Sequence, residues 1–169
     1  IPSHLVILLP LLIRLVQLHL VDQCPPLNRL HQYLLLILSF PQLLLDRAYD
    51  GSERVTNWMP PVRGSRTEKV ELPNCPAEWV WNETTAPVDG RVIIYFHGSA
   101  FIALGINSHR PLVSHIARDS RARALSVGYR LCPRHLVEDA VEDGVDAYRY
   151  VLAQGVKPEH IVLAGDSAG

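Results

Sequence analysis

Hydrophobic positions divide the chain into two regions of different kind. Up to residue 45 the chain is dominated by two long leucine-rich runs, Leu5 to Val21 and Tyr33 to Leu45; from residue 67 apolar residues come as short runs and helical stripes between turn residues. Val92-Ile93-Ile94-Tyr95-Phe96 is a continuous apolar run, the form taken by a strand covered on both faces. Ala124 to Tyr129 and Ile161 to Ala164 read as further strands. Thr67 to Leu72 and Ala77 to Trp81 are β-prone runs on either side of the turn cluster Pro73-Asn74-Cys75-Pro76. In the second, Trp79 and Trp81 alternate with Glu78 and Val80, so both indoles share one face and core packing is their expected role. Pro111 suits a first helical residue, and Leu112, His115 and Ile116 then recur at helical spacing through Ser120. Val137, Val141, Val145, Tyr148 and Leu152 mark one face of a second helix ending at Gly155.

This order predicts an α/β fold whose mostly parallel sheet carries helices on both faces. Ligands in such sheets bind outside the carboxyl ends of the strands. Three segments follow from the pattern: a hydrophobic helical stretch over 1–45, a polar linker over 46–66, and the folded domain over 67–169.

Residues 1–45 hold 17 leucines and only Arg14, Asp22 and Arg29 as charges. Leu5 to Val21 is nearly long enough to cross a bilayer, where about 20 residues are needed, but Arg14, Gln17 and His19 interrupt it. Three readings stay open: a membrane anchor or paired interfacial helices, a signal peptide, and a leucine-rich helix pair capping the domain. The first is favoured, which predicts a membrane-associated protein, at the endoplasmic reticulum for instance, and otherwise a cytoplasmic one. A formal net charge of -1 gives no electrostatic case for nucleic acid. Three cysteines without paired spacing indicate neither a disulfide framework nor a metal site. Asn82-Glu83-Thr84 matches a glycosylation sequon, which matters only in a secretory lumen.

The chemistry gathers at two strand ends. Gly165-Asp166-Ser167-Ala168-Gly169 has the G-x-S-x-G form directly after an apolar strand, the arrangement that lifts a serine Oγ clear of a sheet edge. Bulky residues at Gly165 or Gly169 would crowd so tight a turn. His97-Gly98-Ser99-Ala100-Phe101 follows the strand that ends at Phe96, so two loops far apart in sequence face one pocket. A serine needs a base to take its proton, and acyl transfer needs N–H donors for the oxyanion. The Ala168 N–H suits that role, and the small residues Gly98, Ser99 and Ala100 suit a loop that lets backbone approach substrate.

Together with Tyr129-Arg130-Leu131-Cys132-Pro133 and Glu142-Asp143, these motifs resemble the hormone-sensitive-lipase branch of the α/β-hydrolase superfamily (α/β-hydrolase fold-3). The family patterns are H-G-G-G-[FW], Y-R-L-A-P-E-H and G-D-S-A-G in that order, and the resemblance covers about residues 67–169. It implies hydrolysis of small-molecule or lipid carboxylic esters through a serine acyl-enzyme, with no metal and no organic cofactor. It makes Ser167 the nucleophile and the N–H groups of Ser99, Ala100 and Ala168 the oxyanion donors. Gly98 would shape the loop, with His97, Gly165, Asp166 and Gly169 in support. The chain departs from the pattern at Ser99 and Ala100, which replace glycines, and at Cys132 and Arg134, which replace alanine and glutamate. The triad acid and histidine follow the serine in this fold, so none of the eight histidines is assigned as base.

His97 is expected to brace the oxyanion loop, and Tyr129-Arg130 with Glu142-Asp143 to form a polar brace behind the sheet. His109 and His115 read as surface or packing residues. The chain is expected to be the N-terminal part of an esterase, inactive alone. The alternative is a truncated or degenerate, non-catalytic membrane-associated homologue.

Overall fold

The computed structural model describes residues 60–84 and 90–169. The expectations for residues 1–45, and most of the linker, lie outside the described residues. Among those described, no helix is long and apolar enough to cross a membrane.

Strands β1 (Ser65–Glu71), β2 (Pro76–Asn82), β3 (Val92–Phe96), β4 (Arg123–Val127) and β5 (Ile161–Gly165) form one sheet in the order β1-β2-β4-β3-β5. Helix α1 (Ile106–Ser120) links β3 to β4; α2 (Val137–Ala153) and a 3₁₀ turn (Pro158–His160) link β4 to β5. The block β4-β3-β5 is parallel, as the alternation of strands and helices predicts. The pairs β1–β2 and β2–β4 are antiparallel. The link between β1 and β2, closed by Leu72 N–H to Cys75 O at 3.0 Å, is too short for the crossover that parallel pairing requires.

The chain steps from β3 to β4 in one direction and from β4 past β3 to β5 in the other. Right-handed crossovers in opposite senses put α1 and α2 on opposite faces. On the α1 face Val80, Ile93, Tyr95 and Ala124 meet Val113 and Ala117. On the α2 face Trp79, Ile94, Leu125 and Val127 meet Ala140, Ala147 and Val151. Trp79 and partly buried Trp81 do share this core, and the Arg123 guanidinium lies over both rings at 4.6 and 5.1 Å.

Both helices differ from the sequence reading. Helix α1 starts five residues before Pro111, because the Ser108 hydroxyl accepts the Gly105 N–H at 2.9 Å and so caps the first turn. Its buried residues are Val113, Ser114 and Ala117, while Leu112 and His115 face outward. An ion pair at the sheet sets this rotation: Arg110 Nε and Nη2 donate to the two oxygens of buried Glu78 on β2 at 2.7 and 3.0 Å. In α2 the predicted valine stripe is not the buried one. Ala140, Asp143, Ala147 and Val151 turn inward, and Val141 and Val145 stay 62% and 42% exposed. Small residues let the helix approach the sheet closely, and Asp143 is drawn in by the guanidinium of Arg130.

Asn82 is buried, its amide donating to Arg63 O at 3.1 Å and its Oδ1 accepting the Thr84 N–H at 2.9 Å. In this fold the sequon asparagine is a structural residue of β2.

Candidate active site

Phe96 and Gly165 pair directly across β3 and β5, so the segments that leave these strands start side by side. The turn after β5 is tight: Ser167 is exposed and sits at φ 54°, in the left-handed region, and Gly169 N–H closes on Asp166 O at 2.9 Å. The glycines on both sides are required by close approach. A Cβ on Gly165 would overlap the Gly169 carbonyl carbon and stand 2.8 Å from Phe96 O. One on Gly169 would overlap Phe96 O and stand 2.9 Å from His97 O. The elbow is thus pressed onto the end of β3, where no side chain fits.

The loop after β3 runs through four positive φ angles: Ser99 at 100°, Ala100 at 54°, Phe101 at 63° and Leu104 at 62°. The value at Ser99 lies beyond the left-handed basin of ordinary residues, where glycine is at home. Ile102 N–H to Ser99 O at 3.1 Å closes the turn, and Cys132 N–H to Phe101 O at 2.8 Å ties it to the segment after β4.

His97 anchors the base of this loop. It is buried, its Nδ1 lies 2.9 Å from Gly98 O, and its ring stacks on Tyr129 with centroids 4.3 Å apart. Burial pushes its pKa down to about 4 against the opposing pull of Gly98 O, so the ring is neutral and Nδ1 is the donor. The Tyr129 hydroxyl donates to His97 O. Behind Tyr129, Arg130 N–H and Nε donate to Asp143 at 2.8 and 3.0 Å, and Nη2 reaches Glu142 at 2.9 Å. The polar brace expected from Tyr129-Arg130 and Glu142-Asp143 is therefore present, with Asp139 as a further member.

The two loops meet through Asp166. Its Oδ1 accepts Gly98 N–H at 2.9 Å and the Tyr95 hydroxyl at 2.7 Å, and His109 Nε2 stands 3.5 Å away. Burial raises the acid's pKa, but the hydrogen bonds from Tyr95 and Gly98, with His109 nearby, outweigh it and hold the carboxyl below its usual range. Burial and the adjacent carboxylate push the Tyr95 phenol up, so it remains a donor.

All nine residues singled out from the sequence (His97, Gly98, Ser99, Ala100, Gly165, Asp166, Ser167, Ala168, Gly169) therefore lie on these two adjoining segments. Tyr95 and His109 were missed. The Gly105–Ser108 cap, which starts α1 early, is the signal that places His109 four residues before buried Val113 on the inner face. Tyr95 was visible only as one apolar member of a strand. Beside the elbow, Phe96, Phe101, Tyr129, Tyr148, Leu163 and Ala168 line an apolar groove of about 470 Å³.

Residues 93–169 match the family model described as α/β hydrolase fold. The carboxylesterase/phospholipase LipF of Mycobacterium tuberculosis is 41% identical over 111 residues, which cover 64% of this chain and 30% of that protein. The crystal structure of an esterase/lipase from an uncultured bacterium is 36% identical with a TM-score of 0.67, over 93% of this chain and 48% of that one. An esterase structure from the bacterial hormone-sensitive lipase family is 34% identical with a TM-score of 0.67, over 88% of this chain and 50% of its own. The chain thus spans about a third of that curated relative and about half of those solved structures. Over the stretch it shares with them, this chain matches the α/β-hydrolase fold model and is similar to esterases of the bacterial hormone-sensitive lipase family.

Proposed function

We propose that the whole protein containing this chain is a serine carboxylic-ester hydrolase, with Ser167 as nucleophile. The observation that carries the reading is the hydrogen bond from Gly98 N–H to Asp166, which seats the 97–101 loop against the turn presenting Ser167. Relatives named carboxylesterase and esterase support it.

In this reading Ser167 Oγ attacks the ester carbonyl carbon while its proton passes to a histidine base. The N–H groups of Ser99, Ala100 and Ala168 receive the oxyanion. The alcohol leaves with that proton, and water then cleaves the acyl-enzyme to release the carboxylic acid and regenerate the serine. The base and its carboxylate partner follow the serine in this fold, so the 169-residue chain alone is expected to be inactive. Neither nearby histidine is proposed as the base. His97 is buried and bonded to Gly98 O, and His109 engages Ser108 and Asp166.

Replacing Ser167 with Ala in the whole protein should reduce hydrolysis of p-nitrophenyl acetate by at least about 1,000-fold. Turnover within about tenfold of wild type would exclude Ser167 as the nucleophile. One observation favours the non-catalytic alternative: Ser99 puts a Cβ at φ 100°, where the loop is least tolerant of one. Full activity loss on Ser167→Ala starting from an active wild type would dispose of that alternative.

A further inference from the structure

We propose that Asp166 is a positioning residue: its Oδ1 holds Gly98 N–H in place and so aims the Ser99 and Ala100 N–H groups at an ester carbonyl oxygen seated over Ser167. The inference rests on the serine-esterase reading above and deepens it.

Three elements converge on one oxygen. The end of β3 reaches Asp166 Oδ1 through the Tyr95 hydroxyl at 2.7 Å, the loop through Gly98 N–H at 2.9 Å, and α1 through His109 Nε2 at 3.5 Å. Asp166 immediately precedes the nucleophile, so one residue is the common reference for both halves of the site. The contact is also steric. A Cβ on Gly98 would overlap Asp166 Oδ2 and stand 2.8 Å from its main-chain oxygen. The loop needs such an outside tie because Ser99 and Ala100 hold positive φ angles of 100° and 54° that their side chains disfavour. Freed from Asp166, that backbone would relax toward negative φ and swing its N–H groups away.

Charge does not account for this carboxylate. A negative group beside the nucleophile opposes the negative charge that grows on the carbonyl oxygen. What the geometry uses is its capacity to accept several hydrogen bonds at one atom, and an uncharged acceptor of the same shape can do that.

The test compares wild type, Asp166→Ala, Asp166→Asn, Tyr95→Phe and Ser167→Ala in the whole protein. The readouts are steady-state hydrolysis of p-nitrophenyl acetate, inhibition by a phenylboronic acid that forms a tetrahedral serine adduct, and thermal melting. Asp166→Ala should lower kcat about 100-fold or more with KM within about threefold, the pattern of a lost transition-state interaction. Boronate inhibition should weaken in parallel. Asp166→Asn should stay within about tenfold of wild type, because the amide oxygen still accepts from Gly98 and Tyr95.

Two results overturn the proposal: Asp166→Ala keeping kcat within about threefold, or a folded Asp166→Asn losing as much as Asp166→Ala. If Asp166→Ala does not fold, Tyr95→Phe decides: a kcat about three- to tenfold lower at unchanged KM supports the tie, and an unchanged kcat overturns it. Ser167→Ala separates the two levels. Retained turnover there defeats the esterase reading itself. An inactive Ser167→Ala beside a wild-type-like Asp166→Ala defeats only the positioning role.

Discussion

Ser99 and Ala100 occupy positions where glycine is the least strained residue, yet they do so unequally. Ala100 at φ 54° lies in the small left-handed basin that non-glycine residues visit at moderate cost. Ser99 at φ 100° lies outside it, where a Cβ stores about 1–3 kcal/mol of backbone strain. Glycine would relieve that strain, offset in part by its greater freedom in the unfolded chain, about 0.5–1 kcal/mol. Ser99→Gly should therefore stabilise the whole protein by about 1 kcal/mol, and Ala100→Gly should be close to neutral. Urea unfolding checks the ranking; a destabilising Ser99→Gly would mean that the serine side chain holds the loop through contacts of its own. At this scale the sequence was most legible. Gly165, Gly169 and Ser167 could be singled out because a sharp turn on a sheet edge admits so few residues. Asp166 carried no such signal, since nothing in G-x-S-x-G shows that the residue before the serine reaches back to Gly98.

Elements come together at the strand ends through His97, which closes β3, stacks on Tyr129 after β4 and bonds the loop at Gly98 O. Its neutral form belongs to the folded state, with a pKa of about 4 against 6.5 for a free imidazole. Between those values the unfolded chain binds more protons than the folded one, so stability rises with pH across that window. The stabilisation is complete above about pH 6.5 and is lost as pH falls toward 4; at its upper bound it is about 3 kcal/mol. His97→Asn keeps an amide donor but cannot titrate, and should flatten the slope of unfolding free energy between pH 4.5 and 6.5. Equal slopes in mutant and wild type would place the acid sensitivity elsewhere. The strand series and the serine turn were readable because short apolar runs between turn residues have few alternatives. The helix faces were not. In α2 the valines at 137, 141 and 145 form the more hydrophobic stripe, but the side that packs is the one with Ala140 and Ala147. There small size allows close approach, and a charged Asp143 is drawn inward by Arg130. Periodicity records hydrophobicity; it does not record which side a partner's charge will pull in.

Among the described residues, the sheet ends at a charged strand on one side and at an apolar strand on the other. At β1 the edge carries Arg66, Glu68, Lys69 and Glu71, charged residues of the kind that discourage pairing with another chain. At β5 the edge strand is Ile161–Gly165, and both its faces show apolar surface: Val162 is 58% exposed and Leu163 61%. Leu163 adjoins exposed Val141 and Val145 of α2 along the apolar groove, so among the described residues an unpaired strand edge and an uncovered hydrophobic face coincide. Each is a known route to self-association, and together they supply both backbone hydrogen bonds and apolar area to a second strand. Expressed by itself, the 169-residue chain should therefore elute in size-exclusion chromatography as oligomers or aggregate. The double substitution Val162→Lys and Leu163→Glu should shift it toward monomer by putting opposite charges on the two faces of that strand. The control is a double substitution on β1, Lys69→Glu with Glu71→Lys, which leaves the charged edge charged and should change nothing. A wild-type chain that runs as a monomer at tens of micromolar would show that the β5 edge and the α2 valines are covered by something else in solution.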